Sequence, residues 1–544
     1  MRLIAVVEAD FERSPLGTRS RLNADLQGET VIRRTIRRLQ QAKRLDSIHV
    51  VVDVAQEAIC RDACKGLDVK VETHSAGGTP WRAYVTAARK FALDGWRGGI
   101  GDATVFDEST HVWVLEALAK REQADGVAVV PAAAALIDPV LLDDMIAHFD
   151  EVRKDMRMTF TQTAPGLSAA IFAADLLHDM AEINQPPGRL IAYSPADPRP
   201  DLLTKPCFYP VPDAIAHASG RCLADTQSGM QRLDRLIAMG NGGGAPHVAD
   251  ASRWLMQQRF ESAPLPVEIE IELTTQDPLS NTTLRPRGEV VGARGPMPFE
   301  LFDKLVSELS GTDDIRIILG GFGDPLLHPD WSRFVARCRD ADIFAIAVCT
   351  PGVHLDDRAI GVLLDNKVDV LHLLIDALKP DTYRALHNAD HFEQVIASVD
   401  RLMAGHRERV QPEPLIVAEM AKTMRTLDEL EPFFDHWLSK TGAAVLTGPS
   451  HYAGQWPDNA VMSMAPPTRS PCLRVFKRAM VLADGRVTFC DQDFKGAHAV
   501  GSLAEHSLSE LWNSERMTLL RTSHIQSKWN SAPLCHACDE WHRP

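Results

Sequence analysis

Long apolar runs, an excess of positive charge and a dense set of cysteines are all absent from this 544-residue sequence. No apolar stretch reaches membrane-spanning length, and the run that follows Met1 is too short for a signal peptide. The 58 basic residues are outnumbered by 73 acidic ones, whereas nucleic acid and anionic lipid require clustered positive charge. We therefore expect a cytoplasmic protein that binds neither membranes nor nucleic acid.

Ten cysteines are too few to form a disulfide scaffold in a chain of this length. In a reducing compartment such thiols are buried, catalytic or bound to metal, and their spacing must decide which. Hydrophobic residues make up 45% of the sequence, which is enough to form hydrophobic cores. The length predicts roughly two to four domains.

The first 239 residues show the alternation that is typical of a parallel α/β domain. Apolar runs at Leu3–Val7, Ile48–Asp53 and Val127–Val130 indicate buried strands. An amphipathic helix is predicted near residues 30–42, between the first two of them. We expect an open α/β domain over residues 1–239.

Several side chains of this segment invite a functional interpretation but favour a structural one. Asp138 precedes Pro139, which is typical of a helix N-cap followed by proline at the first helical position. The arginines of the predicted helix alternate with apolar residues and indicate a solvated helix face rather than a phosphate site; they are Arg33, Arg34, Arg37 and Arg38. Cys60 and Cys64 stand one helical turn apart without further ligands nearby, so we expect both to be structural.

A glycine-rich stretch at Met239–Pro246 interrupts the pattern, and we predict a linker over residues 240–265. Apolar strands then recur with helices between them, at Glu268–Leu273, Ile315–Leu319, Ala345–Cys349, Val370–Ile375 and Leu415–Glu419. This alternation predicts a partial parallel (β/α) barrel of the TIM type over residues 266–465, with its active end at the carboxyl ends of the strands. Short strands and four cysteines occupy residues 466–544.

These four cysteines are Cys472, Cys490, Cys535 and Cys538. The last two lie in a Cys-x-x-Cys, and a hairpin with an Asp484-Gly485 turn is predicted between the first two. Four thiolates suffice to hold an iron-sulfur cluster or a structural zinc ion, and unligated core cysteines are the third alternative.

The segment from Pro471 to Trp541 resembles the SPASM domain, the auxiliary-cluster module of radical SAM enzymes. The matching landmarks, in order, are Pro471-Cys472, Asp484-Gly485-Arg-Val, Cys490-Asp-Gln-Asp493, Val500-Gly501-Ser-Leu503, Leu508-Ser-Glu-Leu-Trp512 and Cys535-x-x-Cys538. This resemblance implies that the four cysteines ligate one auxiliary 4Fe-4S cluster.

The preceding barrel resembles the radical SAM barrel, but its first loop differs at the positions that matter. In that family a Cys-x3-Cys-x2-Cys motif follows the first strand and holds the cluster that reduces S-adenosylmethionine (SAM). The matching positions here are Asp277, Asn281 and Leu284, which cannot supply three soft thiolates. We therefore expect reductive SAM cleavage to be absent, and we interpret Cys338 and Cys349 as core residues.

One further barrel segment, Leu319–Pro329, is similar to the family's Gly-Gly-Glu-Pro segment that contacts the amino group of SAM. The residues that this resemblance assigns to a SAM-like pocket are Gly320, Gly321, Gly323 and Asp324. Because Asp324 still offers a carboxylate to an ammonium group, SAM is a second candidate cofactor. The alternative is that the glycines only shape the turn between a strand and a helix.

The first 239 residues resemble the nucleotidyltransferase (GT-A/Rossmann-like) domain of sugar-activating enzymes. That resemblance assigns Gly17, Arg19 and Arg21 to a nucleotide-binding loop, although the lysine that is usual after such a loop is missing. Ala133 falls where the family places the aspartate that binds Mg²⁺, and alanine cannot bind a metal.

The whole arrangement resembles the spiro-SPASM group, in which the SAM-cluster cysteines are lost and the SPASM cysteines remain. It implies an iron-sulfur protein with one auxiliary 4Fe-4S cluster, acting in surface-glycan or nucleotide-sugar metabolism. An enzyme of the nucleotidyltransferase type with altered catalytic residues, and a binding or scaffold protein without chemistry, are the alternatives. The expected partners are a nucleotide-sugar or other small molecule and an electron-transfer or glycan-biosynthesis protein. No catalytic residue is identified.

Overall fold

The computed structural model describes residues 1–543 except 76–79, 99, 109–110, 241–245 and 293. The chain divides into two compact units, Met1–Arg259 and Phe260–Pro544. Each unit has a hydrophobic core of its own. No helix in the described part of the chain is both long and apolar enough to cross a membrane.

The first unit is built on a sheet in the order β3-β2-β1-β4-β6-β5. Its strands are β1 (Leu3–Ala9), β2 (Ser47–Asp53), β3 (Lys70–His74), β4 (Gly126–Pro131), β5 (Met158–Thr159) and β6 (Ala170–Ala173). The first four strands of that order are parallel, and β6 and β5 extend the sheet in antiparallel pairs. Every residue of β1 is buried, as expected for a parallel strand that is covered on both faces. The predicted α/β class is confirmed.

Helices fill the connections of this unit. They are α1 (Val31–Leu39), α2 (Glu57–Ala63), α3 (Pro80–Arg89), α4 (Val112–Glu122), α5 (Pro139–Val152), α6 (Ala174–Ile183), α7 (Asp213–Ala216), α8 (Gln227–Ala238) and α9 (Val248–Gln258). The prediction for Asp138 is confirmed, since its carboxylate caps α5 by accepting hydrogen bonds from the backbone N–H groups of Val140 and Leu141. Cys60 and Cys64 are buried in the core, as predicted.

The predicted solvated face of α1 is wrong for Arg38, which is 6% exposed. Its Nε donates to the carbonyl oxygen of Ile137 at 2.8 Å. Arg33 donates similarly to the carbonyl oxygens of Ala63 and Lys65. These arginines satisfy carbonyl groups of neighbouring loops that would otherwise lack a partner, which gives them a structural role.

The predicted linker of residues 240–265 contains α9, whose Ala251 and Leu255 belong to the core of the first unit. Its glycine-rich part, residues 241–245, lies outside the described residues. The three predicted boundaries between the segments 1–239, 240–265, 266–465 and 466–544 remain predictions.

The second unit is built on a nine-stranded sheet in the order β12-β11-β10-β9-β8-β7-β13-β14-β15. Its strands are β7 (Glu268–Glu272), β8 (Arg316–Gly320), β9 (Ala345–Thr350), β10 (Val370–Leu374), β11 (Leu415–Ala421), β12 (Ala444–Thr447), β13 (Arg478–Val481), β14 (Arg486–Thr488) and β15 (Gly501–Ser502). Strands β7 to β12 are parallel neighbours in chain order, which confirms the predicted partial barrel.

The helices of the barrel are α10 (Phe299–Leu309), α11 (Trp331–Asp340), α12 (Asp357–Asp365), α13 (Pro380–His387), α14 (Phe392–Arg409) and α15 (Leu430–Thr441). Those of the C-terminal segment are α16 (Arg474–Lys477), α17 (Leu508–Trp512), α18 (Glu515–Ile525) and α19 (Pro533–Ala537). Cys338 lies fully buried in α11, in agreement with its predicted core role.

The cysteine-rich C-terminal segment continues the barrel sheet. Strand β13 pairs in parallel with the first barrel strand, with Ala479 opposite Ile269, and then forms the predicted hairpin with β14. Gly485 in the turn has φ +82°, a conformation that glycine adopts without strain. This pairing places Cys490, which follows β14, next to the barrel.

Candidate iron-sulfur site and barrel mouth

The four cysteines lie in three different parts of the C-terminal segment. Cys472 precedes α16, Cys490 follows β14, Cys535 lies within α19 and Cys538 is the C-cap residue of α19. Each thiol interacts electrostatically with others of the set: Cys490 and Cys535 both interact with Cys472 and with Cys538. The fold therefore brings all four predicted ligands together.

Each of the four sulfurs receives a hydrogen bond from an N–H group. Backbone N–H groups of Gln492 and Glu540 donate to Cys490 and Cys538 at N···S distances of 3.5 and 3.3 Å. The backbone N–H group of Arg474 donates a hydrogen bond to the sulfur of Cys472. The fourth sulfur, that of Cys535, lies 3.3 Å from a ring nitrogen of His524. Donors of this kind stabilise thiolate ligands, so the surroundings of the site fit a metal centre.

Burial acts against ionisation of these thiols when they hold no metal. It raises the pKa of Cys535 to about 12 and that of Cys538 to about 11, and it raises the pKa of Cys472 as well. Because iron binds the thiolate form, cluster assembly must release protons from this site.

Sequence reasoning missed the residues that surround the cysteines. His524 is 1% exposed and lies between Cys472 and Cys535. Beside Cys490, Arg474 forms an ion pair with Asp491, with 2.6 Å between Nη1 and Oδ1. No local pattern identifies His524, because its two contacts depend on the packing of α18. The Arg474–Asp491 pair spans 17 residues and has no periodic signature either.

The loop that follows β7 carries Asp277, Asn281 and Leu284, the residues predicted to stand at the family's cluster positions. Asp277 forms a buried ion pair with Arg287, with 2.6 Å between Oδ2 and Nη1, and its other oxygen accepts the Leu279 N–H. Asn281 is exposed, and Leu284 packs against other apolar side chains. These side chains do not fit a cluster, because they supply a paired carboxylate, an exposed amide and a hydrocarbon.

A chain of ion pairs crosses the mouth of the barrel next to this loop. Arg285 donates to both oxygens of Asp376 at 2.9 and 2.8 Å, and it lies 3.7 Å from Glu419. His372 pairs with Glu419 at 2.9 Å. Burial opposes ionisation of Glu419, but His372 and Arg285 together lower its pKa to about 2. The mouth of the barrel thus carries charged side chains of both signs that largely neutralise one another.

Asp324 is fully buried at the same end of the barrel. Its Oδ1 accepts hydrogen bonds from the Thr350 hydroxyl at 2.8 Å and the Leu326 N–H at 3.1 Å. Its Oδ2 has no hydrogen-bond partner among the residues that the structure describes. Burial, together with the charge of Asp277, raises the pKa of Asp324 to about 7.

The glycines of the predicted SAM-like pocket have a packing role that needs no ligand. Gly320 ends β8, and Gly321 and Gly323 lie in the turn that follows. A Cβ at Gly323 would stand 2.1 Å from the carbonyl oxygen of Thr274, so a side chain there is excluded by the backbone. The turn geometry accounts for this glycine, and the pocket stays a prediction.

The loop after β12 covers the same mouth. Tyr452 has φ +48°, which is rare outside glycine, and its ring packs between Phe322 and Phe494. The side chains of Trp456 and Asn459 both donate to the carbonyl oxygen of Thr283. These bonds hold the loop against the segment that would carry the missing cysteines.

In the first unit, the predicted nucleotide loop is held by contacts within the protein. Gly17 and Arg19 are exposed, and Arg21 donates to the carbonyl oxygens of Arg19 and Asp225. Ala133, at the predicted metal position, is partly buried. The nucleotide site stays a prediction.

Another group of ligand-type side chains, missed by sequence reasoning, lies on β2, β3 and α4. His49, Glu72 and Glu122 place their ligand atoms within 4.8 Å of one another. Lys70 lies 2.7 Å from Glu122, and Arg121 lies 2.5 Å from Glu72. Because cations of the protein already neutralise both carboxylates, this group is best explained as a surface ion-pair network.

Two protein-family models match parts of the second unit. Residues 285–409 match the radical SAM superfamily. Residues 472–539 match the SPASM family, which is described as an iron-sulfur cluster-binding domain. The second match contains all four cysteines.

Relatives in other organisms cover parts of the chain. An uncharacterized protein of Treponema pallidum is 23% identical over 290 residues, which is 51% of this chain and 79% of that protein. The GTP 3',8-cyclase of Chlorobaculum tepidum is 30% identical over 155 residues, which is 26% of this chain and 46% of the cyclase.

Solved structures resemble the chain only distantly. Streptococcus suis SuiB bound to S-adenosylmethionine aligns at 12% identity and a TM-score of 0.40, covering 57% of this chain and 82% of SuiB. A cytidylyltransferase from Leptospira borgpetersenii aligns at 16% identity and a TM-score of 0.35, covering 47% of this chain and 95% of that enzyme. Both scores are too low to support a functional argument. The two family matches carry the assignment: this chain contains a radical SAM domain at residues 285–409 and a SPASM iron-sulfur cluster-binding domain at residues 472–539.

Proposed function

We propose that this chain holds one 4Fe-4S cluster on Cys472, Cys490, Cys535 and Cys538 and does not cleave SAM reductively. The carrying observation is the contrast between its two candidate sites. At one, four buried or half-buried cysteines each have an N–H group within hydrogen-bond distance of the sulfur. At the other, the position of the first missing cysteine is occupied by Asp277, which is paired with Arg287.

The spacing of the four sulfurs supports a cluster over a single zinc ion. A tetrahedral zinc site with Zn–S bonds of about 2.3 Å holds its sulfurs about 3.8 Å apart. In the described chain, no three of these sulfurs lie within 4.8 Å of one another. A cubane cluster places four irons between its ligands and therefore suits the wider arrangement.

The barrel loop supports the second half of the proposal. Leu284 is 2% exposed and packs against Leu386 and Ala421, so it contributes to a small apolar cluster instead of to a metal site. Arg287 is also buried, and its charge is balanced by Asp277. An iron-sulfur cluster at this position would have to separate that ion pair without gaining a thiolate in exchange.

The role of the cluster follows from what such a group supplies, which is one-electron chemistry or a structural cross-link. We propose that it serves electron transfer, ligand binding or structure in surface-glycan or nucleotide-sugar metabolism, in the cytoplasm. The resemblance of the first unit to sugar nucleotidyltransferases supports that setting. The corresponding partners are a nucleotide-sugar or related small molecule and an electron-transfer or glycan-biosynthesis protein.

The absence of SAM cleavage is tested by incubating the anaerobically purified chain with SAM and dithionite. A radical SAM enzyme that retains its three cysteines serves as the positive control under the same conditions. We expect no 5'-deoxyadenosine above the level formed without protein. Catalytic formation of 5'-deoxyadenosine would show that the barrel holds a cluster after all.

A second function, binding of an amine-bearing ligand such as SAM without cleavage, is favoured by Asp324. Its unpartnered Oδ2 is an acceptor for an ammonium group. Equilibrium dialysis with labelled SAM should show binding that weakens about 10- to 100-fold in Asp324→Asn, the effect of losing a charged hydrogen bond. The exposed Asp330→Asn variant is the control. Equal binding by both variants would remove Asp324 from the site.

A further inference from the structure

We propose that His524 is a positioning residue for the cluster, and that its Nε2–H group raises the reduction potential through a hydrogen bond to the Cys535 sulfur. The inference rests on the proposed function, because it requires a cluster on the four cysteines. It concerns a residue that neither the cysteine spacing nor the sequence landmarks identify.

The two contacts of the imidazole ring fix its tautomer. The backbone N–H of Cys472 donates to Nδ1 of His524 at 3.2 Å, so this nitrogen must carry a lone pair. In the neutral ring the hydrogen then lies on Nε2, which stands 3.3 Å from the sulfur of Cys535. One ring thus accepts from the first cysteine ligand and donates to the third.

The ring cannot turn away from this arrangement without repacking its surroundings. His524 is 1% exposed and packs edge-on against Trp529, with 5.7 Å between the ring centroids. The guanidinium group of Arg469 lies over the Trp529 ring, 5.2 Å from its centroid. Arg469 also donates a hydrogen bond to the carbonyl oxygen of Cys535 at 2.7 Å. The histidine is therefore oriented by a packed layer that also holds the ligand it bonds.

The hydrogen bond to Cys535 differs in kind from those of the other sulfurs. Cys472, Cys490 and Cys538 accept hydrogen bonds from backbone N–H groups, which substitutions other than proline leave in place. Cys535 receives its N–H from a side chain. Hydrogen bonds to cluster ligands stabilise the more negative, reduced state and so raise the reduction potential. Removal of the histidine should shift the potential to a more negative value.

The test is an anaerobic redox titration of the full chain, followed by electron paramagnetic resonance, with iron and sulfide measured on the same samples. His524→Phe fills much of the same space but has no donor. His524→Gln offers an amide that can accept from Cys472 and donate to Cys535. His536→Phe, at an exposed neighbour of Cys535, is the matched control.

We expect the phenylalanine variant to retain its iron and to be reduced at a more negative potential, with the glutamine variant between it and the wild type. The control should not shift. An unchanged potential in a fully loaded phenylalanine variant would overturn the inference while leaving the proposed function intact.

Should the phenylalanine variant lose its cluster, retention by the glutamine variant supports the inference, and loss from both overturns it. A wild-type chain without iron and sulfide would contradict the proposed function itself, and the inference with it.

Discussion

At the residue scale, the four cysteines of the C-terminal segment differ from the barrel thiol Cys338 in what surrounds them. Cys338 is enclosed by the apolar core, whereas Cys490 and Cys538 receive backbone N–H groups on their sulfurs. A buried polar donor that points at sulfur stabilises a thiolate, and hydrocarbon does not.

This difference predicts the effect of single cysteine substitutions. Serine at position 472, 490, 535 or 538 should lower the iron content below the about four atoms per chain of the wild type, because each substitution removes one of the four thiolates. Visible absorption and iron analysis after anaerobic purification measure the loss. Cys338→Ala should keep its iron, and equal losses in all five variants would show that the assignment of the ligands is wrong.

Asp324 predicts a dependence of stability on pH. Its pKa is about 7 in the folded chain and about 3.9 when unfolded, so the folded state binds the extra proton between these values. The contribution of Asp324 to the free energy of unfolding is fully present below about pH 4 and is lost as the pH rises through 7. The Asp324→Asn variant has no carboxyl group to titrate at this position. Between pH 4 and 8 the free energy of unfolding of the wild type should therefore fall by up to about 4 kcal/mol relative to that of the variant.

Denaturant titrations at several pH values measure this difference. Asp330→Asn, at an exposed site, should follow the wild type throughout. A difference between Asp324→Asn and the wild type that does not change with pH would show that Asp324 is ionised normally.

At the scale of elements, Asp138 joins two helices of the first unit. Its Oδ1 caps α5, and its Oδ2 accepts the N–H of Val248 in the first turn of α9 at 2.6 Å. Asp138→Ala removes these bonds and leaves the charge of nearby Arg38 less compensated. We expect a loss of about 2 kcal/mol or more in the free energy of unfolding, measured in urea.

The control for this variant is Asp144→Ala, at an exposed position of the same helix. It changes the same type of side chain without removing a cap, so its stability should stay within about 0.5 kcal/mol of the wild type. A similar loss in both variants would contradict the capping role.

The loop after β7 depends on the ion pair between Asp277 and Arg287. Asp277→Ala leaves the buried guanidinium unpaired and should cost about 3–5 kcal/mol in the free energy of unfolding. The double variant Asp277→Leu/Arg287→Met removes both charges and should recover much of that loss. The free energy of unfolding is measured from the urea-induced unfolding of the second unit. If the loss in the double variant equals the sum of the losses in the two single variants, the pairing is contradicted.

The strands of both units could be predicted because buried parallel strands are nearly continuous apolar runs, as at β1 and β9. The SPASM segment could be predicted because the spacing of its cysteines and their flanking residues form a pattern, and the family match confirms it, whereas the role of the four cysteines as ligands stays a prediction. The parallel pairing of β13 with β7 could not be predicted from the sequence, because Ala479 and Ile269 are brought together only by the tertiary fold. The contacts of His524 and the Arg285–Asp376 ion pair were missed for the same reason.

At the scale of the whole molecule, the two units differ in their chemical content. The first is an α/β unit whose predicted metal position carries Ala133. The second contains the four proposed cluster ligands and the barrel loop without cysteines. In the barrel itself the remaining thiols are Cys338 and Cys349, and burial raises the pKa of each to about 12. Two separate thiols cannot replace three ligands in one loop, which supports the proposal that the chain holds a single cluster.

The most direct test is the iron and acid-labile sulfide content of the full-length chain after anaerobic purification and reconstitution. One cluster on Cys472, Cys490, Cys535 and Cys538 predicts about four irons and four sulfides per chain. About eight of each would show that the barrel binds a second cluster despite Asp277, Asn281 and Leu284. Zinc without sulfide would contradict the cluster itself.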